Sequence, residues 1–179
     1  MESFESLVLT VLERDGYWVR PGLKVELTKD EKKLIGRTSS PRWELDLVAY
    51  KGATNELLVV ECKSYFDNPG VKYESFKGDK CSERFKLFNE DVLRRVVFSR
   101  LKSQLVAAGS CRARPKTRLC LAAGKIASDS DRKRIRALFR SRGWLLFDDN
   151  WLRDALKRVA ASGYDNQVAA VVAKLLLRK

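Results

Sequence analysis

Two short apolar segments on either side of a four-residue turn constrain the fold of this chain more than any other feature. Residues 43–50 read Trp-Glu-Leu-Asp-Leu-Val-Ala-Tyr, and residues 57–63 read Leu-Leu-Val-Val-Glu-Cys-Lys, with turn-forming residues at 52–55. Runs of this kind separated by a short turn predict a β-hairpin. The length of the turn sets the register, which places Asp46 opposite Glu61 and Glu44 opposite Lys63.

The predicted hairpin therefore brings two carboxylates, Asp46 and Glu61, face to face. Directly opposed residues have Cβ atoms about 4.5–5.5 Å apart, and like charges at that distance destabilise the pair. A divalent cation would relieve this repulsion, and Mg²⁺ is often held by one or two carboxylates together with substrate phosphates. Lys63, on the same face as Glu61, would then orient or help to deprotonate a water, or neutralise charge on a phosphate. The alternative is a structural salt-bridge cluster.

The periodicity of apolar residues elsewhere predicts alternating helices and strands. The predicted helices cover residues 3–15, 83–108, 128–141, 149–161 and 165–178. The predicted strands cover residues 17–28, 43–50, 57–63, 117–123 and 144–147, and polar loops cover 29–42 and 64–82. This order indicates one α/β domain over residues 1–179, with a central mixed sheet flanked by helices and with further helices at the C-terminus.

The sequence also predicts where the next-to-last helix begins and ends and which face of the last helix is apolar. Asp149 or Asn150 is expected to cap the helix that follows the last strand, and Gly163 to end it. The final helix has an apolar stripe of Val168, Val171, Val172, Leu175 and Leu176. We expect this stripe to pack on the core, with a partner chain as the alternative.

Glu5 is the carboxylate of the first predicted helix that lies nearest to its apolar face. At 100° per residue it falls at the edge of the stripe that begins at Phe4, whereas Glu2 and Glu13 fall on the far side. Glu5 is therefore placed either to look toward the sheet or to extend into solvent.

The chain contains no histidine. This excludes Ser-His-Asp and Cys-His catalysis as well as zinc sites built on histidine. The four cysteines form no Cys-x-x-Cys pair, so neither a zinc ribbon nor a disulfide framework is expected, and a reducing cytoplasm is the predicted location. We expect no signal peptide and no membrane span. Any catalysis must use carboxylates, Lys, Tyr, Ser, Thr, Cys or a metal held by carboxylates.

The net charge of +13 is concentrated in one part of the sequence. Residues 94–142 contain fifteen Lys or Arg residues and only two acidic residues, and the rest of the chain is neutral. A block of one sign across two predicted helices is typical of a surface that contacts the phosphate backbone of nucleic acid, with solubilising charge as the alternative. The expected contacts are Arg94, Arg95, Arg112, Arg114, Lys116, Arg132, Lys133 and Arg136.

The pattern of Glu5 on a helix, Asp46 on one strand and Glu61-Cys62-Lys63 on the next resembles the PD-(D/E)XK nuclease superfamily, whose restriction-endonuclease-like core has the order αβββαβ. The segment from Glu5 to Gly16-Tyr17 is similar to the first helix of archaeal-type Holliday-junction resolvases. Residues 119–152 are similar to the end of Mrr-like restriction endonuclease domains. The resemblance covers about residues 1–160. The proline that usually precedes the first Asp is absent, and Glu44 in its vicinity would mute Lys63 if the two formed a salt bridge.

The resemblance implies a metal-dependent endonuclease that hydrolyses DNA phosphodiester bonds. Asp46 and Glu61 would ligate Mg²⁺ or Mn²⁺ together with the backbone carbonyl of Cys62, Lys63 would position the attacking water, and Glu5 would assist the metal site. The partner would be duplex or branched DNA, and the resolvase and restriction relatives imply a homodimer. Two alternatives stay open, namely a non-catalytic nucleic-acid-binding or assembly module on the same fold, and an RNA-directed nuclease.

Overall fold

The structure is a computed structural model that describes residues 2–37, 42–78, 80–161 and 167–177. The helices in these ranges are α1 (Ser3–Arg14), α2 (Lys29–Leu34), α3 (Lys86–Asn89), α4 (Asp91–Ala107), α5 (Asp129–Arg142), α6 (Asp149–Ala161) and α7 (Val168–Leu177). The strands are β1 (Trp18–Val25), β2 (Trp43–Lys51), β3 (Glu56–Lys63), β4 (Lys116–Ala123) and β5 (Leu145–Phe147). Two 3₁₀ segments, Tyr73–Phe76 and Lys80–Phe85, precede α3.

The strands of the described residues form one mixed sheet in the order β1-β2-β3-β4-β5. β1, β2 and β3 form an antiparallel meander, whereas β3, β4 and β5 run parallel to one another. Apolar residues of α1 and α6 pack on one face of the sheet, and those of α4 and α5 pack on the other. The α/β class with a mixed sheet flanked by helices, as predicted from the sequence, is confirmed.

The β2–β3 hairpin has the predicted register, since Leu47 pairs with Val60 and Lys51 pairs with Glu56. β3 is buried on both faces, with Leu57 and Val59 in one apolar core and Leu58 and Val60 in the other. A strand covered on both sides needs an unbroken apolar run, which residues 57–60 supply. The hairpin is therefore the centre of the packing, and its polar ends project beyond it.

Residues 29–42, predicted as a loop, begin instead with helix α2. Thr28 caps this helix, because its side chain accepts a hydrogen bond from the Glu31 N–H at 3.2 Å while the Glu31 carboxylate accepts one from the Thr28 N–H at 2.7 Å. This reciprocal capping box satisfies donors that a helix start leaves unpaired. Residues 38–41 of the predicted loop lie outside the described residues.

Two further helix boundaries differ from the predictions. The helix expected over residues 83–108 begins only at Asp91, because Glu90 has an extended backbone (φ −106°, ψ 96°) that separates α4 from the short α3. Asp148, rather than Asp149 or Asn150, caps α6, since its carboxylate accepts a hydrogen bond from the Trp151 N–H at 3.1 Å. Gly163, predicted to end α6, lies outside the described residues.

The last helix, α7, buries a different face from the one predicted. It packs Ala170 and Ala173 against Val159 and Ala160 of α6, because small side chains let two helices approach closely. The apolar stripe predicted to pack on the core is exposed, namely Val168, Val171, Val172, Leu175 and Leu176. That prediction was wrong, and the predicted ends of the helix at 165 and 178 lie outside the described residues. No helix of the described ranges has both the length and the apolar character needed to cross a bilayer.

We expect the same substitution to have very different effects in β4 and in α7. Leu121→Ala should lower the free energy of unfolding by about 2–5 kcal/mol, because Leu121 is fully buried in the sheet. Leu175→Ala should change it by less than about 0.5 kcal/mol, because the Leu175 side chain is 81% exposed. Urea unfolding of both variants measures the difference. Equal losses at the two positions would contradict the placement of α7.

Candidate active site

Three of the four predicted catalytic side chains, Asp46, Glu61 and Lys63, converge at the edge of the sheet where β3 ends. The Lys63 ammonium nitrogen lies 3.6 Å from Oε2 of Glu61 and 3.9 Å from Oδ2 of Asp46. The side chains are 19% (Lys63), 14% (Glu61) and 28% (Asp46) exposed, so water reaches the cluster from one side only. Asp46 and Glu61 thus lie beside the same ammonium, although the β2–β3 ladder ends at the Leu47–Val60 pair and does not include the expected Asp46–Glu61 pair.

Asp46 reaches this position because the β2–β3 ladder stops one residue before it, at the Leu47–Val60 pair. The Asp46 carboxylate takes over the next hydrogen bond, and its Oδ2 accepts one from the Cys62 N–H at 2.7 Å. A side chain thus replaces a strand carbonyl. This bond holds the Asp46 carboxylate against the last residues of β3, next to Glu61.

The alternation of side chains along β2 is also interrupted at Asp46. Leu45 and Val48 pack in one apolar core, whereas Leu47 packs in the other, although strict alternation would put Leu45 and Leu47 on the same face. The opposite residue of β1, Gly22, has a positive φ of 58°, a conformation that a residue with a side chain adopts only with strain. Irregularities of this kind re-aim a side chain, and here they turn Asp46 toward β3.

The expected pairing of Glu44 with Lys63 was wrong. The Glu44 carboxylate lies 4.0 Å from the Lys24 ammonium of β1 and is mostly exposed. Because the ladder with β3 has already ended, the first residues of β2 pair only with β1. Lys63 therefore contacts Asp46 and Glu61 instead of Glu44.

The electrostatics of the cluster are dominated by burial. Burial first, and then the negative charge of Asp46, raise the pKa of Glu61 to about 7 against the opposing effect of the neighbouring Lys63. Burial also raises the pKa of the Cys62 thiol, and the charges of Asp46 and Glu5 add to this effect. Cys62 is therefore a neutral thiol, and a positive charge near Asp46 and Glu61 would be stabilised.

Glu5 lies on the same side of the site but has a local role. Its Oε2 accepts a hydrogen bond from the Glu2 N–H at 3.0 Å, which completes the capping box at the start of α1. Glu5 nonetheless lines the same cleft as Asp46 and Lys63. The first helix thus brings a third carboxylate to the opening of the cleft.

The cleft over the cluster has a volume of about 420 Å³ and includes side chains that the sequence did not single out. Tyr65 lies in the polar loop after β3, while Glu83 and Arg84 come from the 3₁₀ segment that the sequence predicted as the start of a long helix. No motif marks these residues, since only the fold of residues 64–85 brings them to the cleft. A larger, mainly apolar groove of about 920 Å³ lies between α1, α6 and α7, and its lining among the described residues includes none of the predicted catalytic side chains.

Gly124 fixes the path of the chain after Lys63. Its N–H donates a hydrogen bond to the Lys63 carbonyl at 2.9 Å. A Cβ at this position would overlap the Ser64 carbonyl and the ring of Phe66, at distances that real side chains do not reach. The glycine therefore allows residues 64–66 to cross closely over the end of β4, at the side of the cleft.

The donor set fits a divalent ion that keeps part of its shell as water or phosphate. Asp46 and Glu61 offer two carboxylates whose mutual repulsion, visible in the raised pKa of Glu61, a cation would remove. Within the described ranges, no group of three or more acidic or cysteine side chains is arranged to hold a metal by itself. The remaining ligands would be the Cys62 carbonyl, water and substrate oxygens, which is the usual environment of Mg²⁺ in phosphate chemistry.

Some of the side chains predicted to contact nucleic acid form ion pairs or hydrogen bonds within the protein, and others form no ion pair among the described residues. Arg132 is only 13% exposed and lies 3.0 Å from Asp148 and 2.8 Å from Asp149. Arg94 donates to the Leu87 carbonyl at 2.9 Å and pairs with Asp91. Arg136 pairs with Asp148 at 2.6 Å, and Arg112 donates to the Gly52 carbonyl. The exposed side chains that form no ion pair among the described residues are Arg95, Arg114, Lys116 and Lys133.

Comparison of the chain with protein-family models, with curated proteins and with solved structures finds no match. The case for a function therefore rests on the residues of the site and on their geometry.

The raised pKa of Glu61 predicts a specific dependence of stability on pH. Unfolded Glu61 ionises near 4.5, whereas folded Glu61 stays protonated up to about pH 7. The stability contributed by the protonated group is thus complete below about pH 4.5 and is lost as the pH rises through about 7. From about pH 5 to pH 8, wild type should lose up to about 3 kcal/mol relative to Glu61→Gln.

Urea unfolding at several pH values measures this difference. Glu44→Gln is the matched control, because Glu44 is mostly exposed, and it should follow the wild-type curve. Parallel curves for wild type and Glu61→Gln would show that Glu61 is ionised throughout and that its surroundings are not as described.

Proposed function

We propose that this chain is a metal-dependent endonuclease of the PD-(D/E)XK superfamily, which hydrolyses phosphodiester bonds of DNA with Mg²⁺ or Mn²⁺. The observation that carries the proposal is the convergence of Asp46, Glu61 and Lys63 at one edge of the sheet, with nitrogen–oxygen distances of 3.6 Å and 3.9 Å. Two neighbouring carboxylates beside one lysine lower the stability of the fold, since like charges at facing positions repel. Stability alone therefore does not explain the arrangement.

The topology supports the assignment to a restriction-endonuclease-like core. α1 is followed by the β1-β2-β3 meander, and α4 then leads to β4, which lies parallel to β3. This is the order αβββαβ of that core, with α2 and the short segments before α4 as additions. β5 with α5 and α6 extends the sheet on the side of β4.

The roles follow from the positions of the side chains. Asp46 and Glu61, with the Cys62 carbonyl, would hold the metal, which when bound stabilises negative charge on the phosphate and lowers the pKa of water. Asp46 is oriented by the Cys62 N–H, and Glu61 must be ionised to bind, so cation binding competes with its proton. Lys63 would turn from the carboxylates to the attacking water or to a phosphate oxygen. Glu5 would assist the metal site from the opening of the cleft.

One observation favours a second function, a non-catalytic DNA-binding module on the same fold. The Lys63 ammonium already offsets the charge of both carboxylates, and no three-ligand metal group exists among the described residues. Such a module would bind nucleic acid through the exposed cations and would not cleave it in any divalent metal.

We expect Asp46→Ala, Glu61→Gln and Lys63→Ala each to lower the rate of Mg²⁺-dependent cleavage by at least about 10²-fold, the usual loss when a catalytic acid, base or charge-stabilising group is removed. The measurement is a cleavage panel of linear duplex, branched and single-stranded DNA and of RNA duplex, with Mg²⁺, Mn²⁺ or chelator. Lys24→Ala is the matched control, since this exposed lysine of the same sheet pairs with Glu44 and its loss should leave the rate unchanged.

Each outcome of the panel decides between the functions. Cleavage that survives Asp46→Ala would exclude the proposed site. Salt-sensitive DNA binding without cleavage in any metal would establish the non-catalytic module. Preferential cleavage of the RNA duplex would replace DNA by RNA as the substrate.

A further inference from the structure

A second charged groove lies at the opposite end of the sheet from the carboxylates. It has a volume of about 400 Å³ and is bounded by α4, by the start of β4 and by the start of β5. Its lining includes five cationic side chains and, among the described residues, no carboxylate. The cations are Arg94, Arg95, Lys102, Arg118 and Arg142.

Three of these cations have no acidic partner within residues 2–37, 42–78, 80–161 and 167–177. Arg95, Lys102 and Arg142 form no ion pair within the described residues, whereas Arg94 pairs with Asp91 and Arg118 lies 3.6 Å from Glu56. Asp91 lies next to the groove through its ion pair with Arg94. Its pKa is lowered first by its hydrogen bond and ion pair with Arg94 and further by Arg142 and Arg95. Asp91 and Glu56 are two carboxylates against five cations, so the groove keeps a net positive charge.

The floor of the groove is rigid because Trp144 is held from several sides. Its ring meets Phe88 and Phe139 edge-on, with ring centres 5.3 Å and 5.4 Å away. The guanidinium of Arg94 lies 5.1 Å from the same ring, and that of Arg142 lies 6.0 Å from it. Aromatic packing thus holds Trp144 in place as the floor of the groove, and the arginines lie against it. The groove therefore does not depend on a ligand for its shape.

The groove and the carboxylates are separated along β4. Lys63 pairs with Ala123 at one end of this strand, and Leu58 pairs with Arg118 nearer the other end. The five intervening steps span about 16 Å at about 3.3 Å per residue. The two sites are thus much further apart than successive phosphates of one DNA strand, which rise about 3.4 Å along the helix axis, so a strand that reaches both spans several nucleotides.

We propose that this groove is a second phosphate-binding site, which holds the nucleic-acid backbone several nucleotides away from the Asp46–Glu61 cluster. Arg95, Lys102 and Arg142 are the contacting side chains, because they form no ion pair with the part of the chain that the structure describes. The inference rests on the proposed function only in taking nucleic acid as the source of the phosphates. It implies that a substrate must extend beyond the carboxylate cleft to bind tightly.

The test compares two variants that remove the same number of positive charges. The groove variant combines Arg95→Gln, Lys102→Gln and Arg142→Gln, and the control combines Arg20→Gln, Lys29→Gln and Lys157→Gln on other surfaces. Binding to a DNA duplex of about 24 base pairs, a little over two helical turns, is measured by fluorescence anisotropy at several salt concentrations with chelator present. Loss of three phosphate contacts should reduce the slope of log affinity against log salt by about 2–3.

The control variant and Asp46→Ala should keep the wild-type slope, and so should Arg95→Lys with Arg142→Lys, which preserves the charges. Equal slopes for the groove variant and the control variant would overturn the inference. The charge-preserving variant shows whether a loss of binding arises from charge or from misfolding, because it changes both arginine positions of the groove variant. These binding measurements do not require cleavage.

Two further measurements distinguish a site for the nucleic-acid backbone from the alternative explanations. With bis(p-nitrophenyl) phosphate, which is too small to span both sites, the groove variant should retain the wild-type rate, whereas Asp46→Ala should lose it. If Asp46→Ala leaves all cleavage unchanged while the groove variant loses duplex binding, the proposed function fails and the groove stands. If the groove variant loses ATP or pyrophosphate binding but keeps duplex binding, the groove is a small-molecule phosphate site and the inference is overturned.

Discussion

The hydrogen bond from the Cys62 N–H to the Asp46 carboxylate, 2.7 Å long, is the contact on which the candidate site depends. It stands where the next backbone bond of the β2–β3 ladder would be, so it ends the hairpin and brings the carboxylate to the last residues of β3. The nearness of Asp46 to Glu61 and to Lys63 follows from it, and so does the part of the raised pKa of Glu61 that the charge of Asp46 causes. A buried pair of carboxylates is thereby maintained at the edge of a very apolar sheet.

The rest of the fold supports this edge and leaves it accessible. β3 is anchored in both apolar cores, so the residues at its end are held by a rigid strand rather than by a loop. Gly124 lets the following segment cross close to β4, and the first helix caps itself with Glu5 at the opening of the cleft. The net positive charge of the chain lies mainly on α4, α5 and their connections. Some of these cations form ion pairs within the protein, and others line the groove beside Trp144.

Sequence reasoning predicted the sheet and the approach of Asp46 to Glu61 because turn length and apolar alternation determine strand register. The predicted pairing of Glu44 with Lys63 was wrong, because the alternation of apolar residues does not show where a hydrogen-bonded ladder ends, and this ladder ends at Leu47. Sequence reasoning also failed for the apolar stripe of α7, because periodicity shows which residues share a face and not what that face contacts. Arg132 is engaged internally for a related reason, since a count of charges does not reveal the acids that long-range packing supplies.

The central claim is that Asp46 and Glu61 together hold a divalent cation, and a Mn²⁺ titration followed by electron paramagnetic resonance tests it most directly. The account predicts one bound ion per chain in the wild type, loss of that ion in both Asp46→Asn and Glu61→Gln, and unchanged binding in Glu44→Gln, whose carboxylate lies with Lys24. Mn²⁺ binding of equal strength in the wild type and in Asp46→Asn would contradict the claim.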